Sequence, residues 1–220
     1  MTTRKSSPRR KPKLELAVLR PTRGLEYAES TESVDEALRP YSYQIKRTWD
    51  KSIPDSFNWL VVWALTKTSA PVFLFIEEDI ILPRNAIALM LELDTDIAAI
   101  NYRLKVDERI SQLEKFGKLL WVSLGCTLIR RKVFETLREP WFSTDYALFS
   151  KSPGSATQEK ILTMEYNPRQ YAGHDAYLCW NAVQKGFTIG AVKGVLCDHL
   201  KLDAMGQANT NSGCHKISRV

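Results

Sequence analysis

Three acids stand between two apolar stretches in Phe73-Leu74-Phe75-Ile76-Glu77-Glu78-Asp79-Ile80-Ile81. A continuous apolar run of this kind is a strand covered on both faces, so the acids that follow it mark its carboxyl end. In extended chain the side chains of Glu77 and Asp79 project to the same side. Two carboxylates so placed suit a hard divalent cation, Mg²⁺ or Mn²⁺; a solvated acidic turn has the same pattern. A second signal is Tyr171-Ala172-Gly173-His174-Asp175-Ala176-Tyr177-Leu178-Cys179-Trp180. Asp175 falls at a helix start, where backbone N–H groups stabilise a carboxylate. There it is either an ordinary cap or a general base toward a hydroxyl. A third is Val195-Leu196-Cys197-Asp198-His199-Leu200, where a histidine closing an apolar strand is a metal ligand or a satisfied core imidazole. The turn Leu19-Arg20-Pro21-Thr22-Arg23-Gly24 follows the first strand and exposes backbone groups that a nucleotide could meet. Cys197, His199, Cys214 and His215 match no common zinc-finger spacing.

These residues need strands and helices to position them. Leu14–Leu19 predicts a buried strand and Tyr41–Thr48 a second, with a short helix over Ser33–Leu38 between them. Asp55 or Ser56 is placed to cap a helix running to about Thr68, and Pro71 opens the strand that leads to the acids. Pro83 suits the first position of a helix over Pro83–Leu93, and Ile97–Leu104 reads as a strand. Leu119–Ile129 is rich in strand formers around Gly125, and a short helix is expected over Arg131–Arg138. Ser143–Gln170 lacks periodicity and predicts a long functional loop. Gly173–Lys185 predicts a helix stopped by Gly186, then one or two strands over Phe187–Leu200. Strands alternating with helices define an α/β domain with a mostly parallel central sheet and helices on both faces. The expected organisation is a basic tail over residues 1–13, one domain over 14–200 and a polar tail over 201–220.

Composition narrows the classes. The chain has 220 residues, 44% of them hydrophobic, with six Trp, eight Tyr and eight Phe, which excludes disorder throughout. The formal charge of +6 is not general: residues 1–13 hold six of the 31 basic residues and no acid, and the rest of the chain balances its 25 acids. A neutral body argues against a broad phosphate-tracking surface. Four cysteines without a Cys-x-x-Cys pair read as reduced thiols, and no apolar segment follows the basic start, so a cytoplasmic protein without a signal peptide is expected. No run approaches 18 apolar residues, so no membrane span is expected.

Taken in order, RPTRG after the first strand, the helix carrying Asn58 before VFLFIEED, SLGCTLIRRKVF, GHDAYLCWNAVQKGF and VLCDHL resemble the nucleotide-sugar-dependent glycosyltransferases of the GT-A fold, particularly the inverting family-two type. The resemblance runs from about Leu14 to Leu200 and implies a single GT-A-like, Rossmann-like domain. It implies a nucleotide-sugar site at Pro21, Thr22, Arg23, Asn58, Glu77, Glu78 and Gly125. Glu77-Glu78-Asp79 looks like the family's Asp-x-Asp motif, with Asp79 on a Mn²⁺ or Mg²⁺ ion and Glu77 toward the ribose or a metal-bound water. His199 looks like the distal histidine that completes the metal site. Asp175 matches the catalytic base of the family's Glu-Asp pair, and His174 stands on the acceptor side where the family has Glu. The implied activity is transfer of a sugar from a nucleotide diphosphate to an acceptor hydroxyl with inversion. A glycan, a protein or a modified DNA base would serve as acceptor. The competing readings are a nucleotidyltransferase on a related sheet and a non-catalytic nucleic-acid or nucleotide-sugar binding protein docked through the basic tail.

Overall fold

A computed structural model describes residues 14–22, 24, 26–102, 112–115, 117–151, 161–167, 173–202 and 208–210. The elements in chain order are β1 (Glu15–Pro21), α1 (Ala28–Leu38), β2 (Ser42–Thr48), α2 (Asp55–Lys67), β3 (Val72–Ile76), β4 (Ile80–Ile81), α3 (Ala86–Glu92), β5 (Ile97–Ala99), β6 (Gln112–Lys115), β7 (Lys118–Val122), β8 (Cys126–Arg130), α4 (Arg131–Thr136), β9 (Tyr146–Lys151), β10 (Ile161–Tyr166), α5 (His174–Gln184), β11 (Ile189–Ala191), β12 (Asp198–Leu202) and β13 (Ala208–Thr210).

Six strands form the central sheet in the order β11-β5-β8-β3-β1-β2. Neighbours are parallel except at β8, which runs antiparallel to both β3 and β5. The chain is therefore a mixed α/β protein with a mostly parallel sheet. The alternation of β3 divides the core between the two faces. Phe73 and Phe75 join Ala17, Leu19, Phe57, Leu60, Phe134, Phe142 and Leu178 on the face covered by α2, α4 and α5. Val72, Leu74 and Ile76 join Leu16, Val18, Val34, Leu38, Ile87 and Met90 under α1 and α3. All five residues of β3 are buried, which explains why no polar residue interrupts it before Glu77.

Several elements differ from the expectation. α1 begins at Ala28, five residues before Ser33, and its outer face is polar enough to hide the period. α2 has Pro54 at its N-cap rather than a capping side chain, and Ser52 Oγ donates to the Asp55 carboxylate instead. Pro83 lies in a turn, its carbonyl accepting from Ala86 N at 2.9 Å, so α3 starts three residues later. Ser143–Gln170 is not a plain loop: its described part holds β9 and β10, paired antiparallel from Tyr146↔Tyr166 to Lys151↔Ile161. Beyond residue 200, β12 continues to Leu202 and pairs with β13, so the polar end of the chain is not wholly irregular.

Candidate active site at the carboxyl edge of the sheet

β1, β3 and β5 all point their carboxyl ends to one edge, where ligands bind in open α/β sheets. At the end of β3 the chain does not stay extended. It turns over Glu78 and Asp79, with Ile80 N donating to the Glu77 carbonyl at 3.4 Å, and resumes as β4. The turn nevertheless splits the acids two ways. The negative charges of Glu77 and Asp79 both act on the Tyr102 hydroxyl, whereas Glu78 acts on Arg20. Arg20 is fully buried at the end of β1; it donates to Ser30 Oγ at 3.1 Å and lies 3.8 Å from Glu26. Burial lowers its pKa, and the Glu26 and Glu78 charges oppose that shift.

β4 is what brings the distant histidine in. It pairs antiparallel with β12, setting His199 opposite Ile80, and Leu200 N donates to the Asp79 carbonyl at 2.7 Å. His199 Nε2 then lies 3.1 Å from Asp79 Oδ2, across 120 residues of sequence. Each side chain keeps about a tenth of its surface open, 11% for His199 and 9% for Asp79. An imidazole nitrogen and a carboxylate oxygen at this spacing fit adjacent corners of an octahedral cation, whose donor atoms lie about 3 Å apart when its bonds are about 2.1 Å. Among the described residues no group of three His, Cys, Asp or Glu is gathered. A cation held by these two donors would complete its sphere with phosphate oxygens and water, as Mg²⁺ commonly does with substrate phosphates.

Asp175 reaches the same neighbourhood from the first turn of α5. Gly173 is the N-cap with φ +120°, and a Cβ there would stand 3.1 Å from the Tyr146 carbonyl, so the tight entry needs glycine. Asp175 Oδ1 accepts from Ala176 N at 2.7 Å. Its charge, with those of Glu77 and Asp79, helps hold the buried Tyr102 hydroxyl above its ordinary pKa, burial being the main cause. His174 turns the other way. It is 7% exposed, with its ring 4.6 Å from Phe57 and 6.4 Å from Phe142, so the residue expected on the acceptor side lies in the core. Burial lowers its pKa, partly offset by the charge of Asp175.

The remaining sequence-predicted residues are placed as follows. Pro21 ends β1 and Thr22 is buried, donating from Oγ1 to the Thr48 carbonyl at 2.7 Å, so the ends of β1 and β2 are tied together. Arg23 lies outside the described residues, as do Cys214 and His215. Asn58 is engaged with backbone: Nδ2 donates to the Phe142 carbonyl at 2.9 Å and Oδ1 accepts from Phe142 N at 3.1 Å. It braces the segment after α4 against α2. Gly125 passes its carbonyl to Glu77 N at 3.1 Å, and a Cβ there would meet Tyr102 Cε1 at 2.6 Å. The residue that sequence reasoning missed is Tyr102, packed against His199 with ring centroids 4.6 Å apart. Its place just after β5, at the carboxyl edge of the sheet, is the signal available.

No protein-family model matches the chain, and a search of curated proteins found no match. Among solved structures the chain is similar to A197 from STIV, with a TM-score of 0.56 and 15% identity over 94% of this chain and 97% of that one. At that identity the likeness concerns the fold alone. No helix among the described residues is long and apolar enough to cross a membrane.

Proposed function

We propose that the protein is a metal-dependent glycosyltransferase with a GT-A-like domain, moving a sugar from a nucleotide-sugar donor to an acceptor hydroxyl with inversion. One juxtaposition carries the reading. An acid after β3 meets a histidine of β12 whose ring lies against Tyr102, and the charge of an acid of α5, far away in sequence, acts on the same tyrosine. An acid–imidazole pair can hold a cation that stabilises a departing diphosphate, and a separate carboxylate can serve as base in a displacement at an anomeric carbon.

Asp79 and His199 would hold Mn²⁺ or Mg²⁺. When bound, such an ion stabilises the negative charge that develops on a departing nucleoside diphosphate. Thr22 ties the ends of β1 and β2, beside which the nucleotide would sit, and the charges of Glu77 and Asp79 act on the same tyrosine, Tyr102. Asp175 accepts the proton of the acceptor hydroxyl as its oxygen forms a bond to the anomeric carbon. The bond from that carbon to the diphosphate oxygen breaks on the opposite face, and the electron pair leaves with the diphosphate. General-base help of this kind contributes roughly 10²–10⁴-fold.

The test is titration of nucleotide sugars into the wild-type protein and Asp79→Ala, with Mn²⁺ and with EDTA. Wild-type binding that needs the ion, and its loss in Asp79→Ala, is expected. Donor affinity indifferent to both the ion and the substitution removes the metal role.

A further inference from the structure

A ligating histidine is usually oriented by a hydrogen bond from its second ring nitrogen. Among the described residues His199 shows no such bond. Nε2 faces Asp79, while Nδ1 is buried and has no hydrogen-bond partner among the described residues. A single contact leaves an imidazole free to rotate about it, so something else must set the plane of the ring. The Tyr102 ring lies against the imidazole, centroids 4.6 Å apart and planes inclined by 54°. Tyr102 is itself clamped. Its hydroxyl is 2.6 Å from Ser123 Oγ, and Ser123 in turn accepts through its carbonyl from Thr127 Oγ1 at 2.7 Å. The ring edge occupies the space that a Cβ on Gly125 would take, 2.6 Å from Cε1, and Ile80 fills in beside it. Tyr102 is 8% exposed, so this clamp is packed rather than solvated.

We infer that Tyr102 is a positioning residue whose Ser123-held ring, seated on Gly125, fixes the imidazole of His199 against Asp79. Its purpose, the presentation of a cation ligand, rests on the reading above; the orientation itself does not. Aromatic packing here takes the place of a hydrogen bond that no described residue gives Nδ1. This also accounts for Gly125: the smallest residue is needed because a tyrosine ring passes over it.

The experiment is a long-range ¹H–¹⁵N spectrum of the imidazoles, which is simple because the chain has three histidines. In the wild-type protein His199 is expected as one narrow set of signals from one tautomer. Tyr102→Leu removes the ring and is expected to lose that pattern by broadening or tautomer mixing, whereas Tyr102→Phe keeps the ring and restores it. Gly125→Ala pushes a methyl into Cε1 and is expected to shift the His199 signals, so it decides the matter if Tyr102→Leu fails to fold. Unchanged His199 signals in a folded Tyr102→Leu or in Gly125→Ala overturn the inference. Mn²⁺ added with UDP or GDP separates the two ideas. If the wild-type His199 signals are not broadened by the ion, the metal reading fails, and the variant spectra still decide the positioning role.

Discussion

His174 offers a test that needs no substrate. The ring is 7% exposed between Phe57 and Phe142, and neither nitrogen has a hydrogen-bond partner among the described residues. A neutral imidazole carries one N–H, and burying a donor without a partner costs about 1–3 kcal/mol. His174→Leu removes that cost, against up to about 1.5 kcal/mol for an imperfect change of shape. The variant is therefore expected to equal the wild type at pH 7 or exceed it by about 1 kcal/mol, a rise of roughly 2–4 °C in Tm for a chain of this size. Acid should widen the gap. Burial sets the folded pKa below the ordinary 6.5, so the unfolded chain binds the proton more readily. Wild-type stability then falls as the pH drops below about 6.5, and the fall stops once the lowered folded value is passed. Each unit of depression adds about 1.4 kcal/mol to the loss. Urea denaturation of both proteins from pH 8 to pH 5 measures it. Parallel pH curves, or a variant more than about 2 kcal/mol weaker at pH 7, would refute an unsatisfied core imidazole.

Asp175→Asn is expected to bind donor normally and to transfer at least about a hundredfold more slowly, on the scale of lost base catalysis; near-normal transfer in a single-turnover assay would remove Asp175 as the base. Asn58→Ala leaves the N–H and carbonyl of Phe142 without their partners and should lower stability by about 1–3 kcal/mol in chemical denaturation. A loss under about 0.3 kcal/mol would show that the brace is redundant.

Local signals are legible in the chain where long-range ones are not. Five buried apolar residues followed at once by three acids mark a strand and its carboxyl end, and β3 ends at Ile76. Gly186 stops α5 within a residue or so of the expected place because helix termination is local chemistry. The β9–β10 ribbon escaped because Ser, Pro, Gly and Thr between Ser143 and Gln170 suppress the strand period. The antiparallel pairing of β4 with β12 is a contact between segments 120 residues apart, and a two-residue strand has no periodicity to announce it. That pairing joins His199 to Asp79, so their meeting had to come from the resemblance rather than from spacing. Tyr102 and Ser123 carry no motif; their role exists in the packing alone. His174 and Asp175 are neighbours in sequence, yet adjacent residues on a helix point about 100° apart, so His174 is buried while Asp175 stays half-buried.

The proposed activity is a sugar transfer that depends on the cation and on Asp175. It is tested most directly by incubating the protein with a panel of nucleotide sugars and Mn²⁺ or Mg²⁺ and measuring nucleoside diphosphate release. At least one donor is expected to yield the diphosphate, EDTA to abolish the release, and the transferred sugar to have inverted anomeric configuration. Absence of binding and turnover across the panel, or release of pyrophosphate from a nucleoside triphosphate instead, would contradict it.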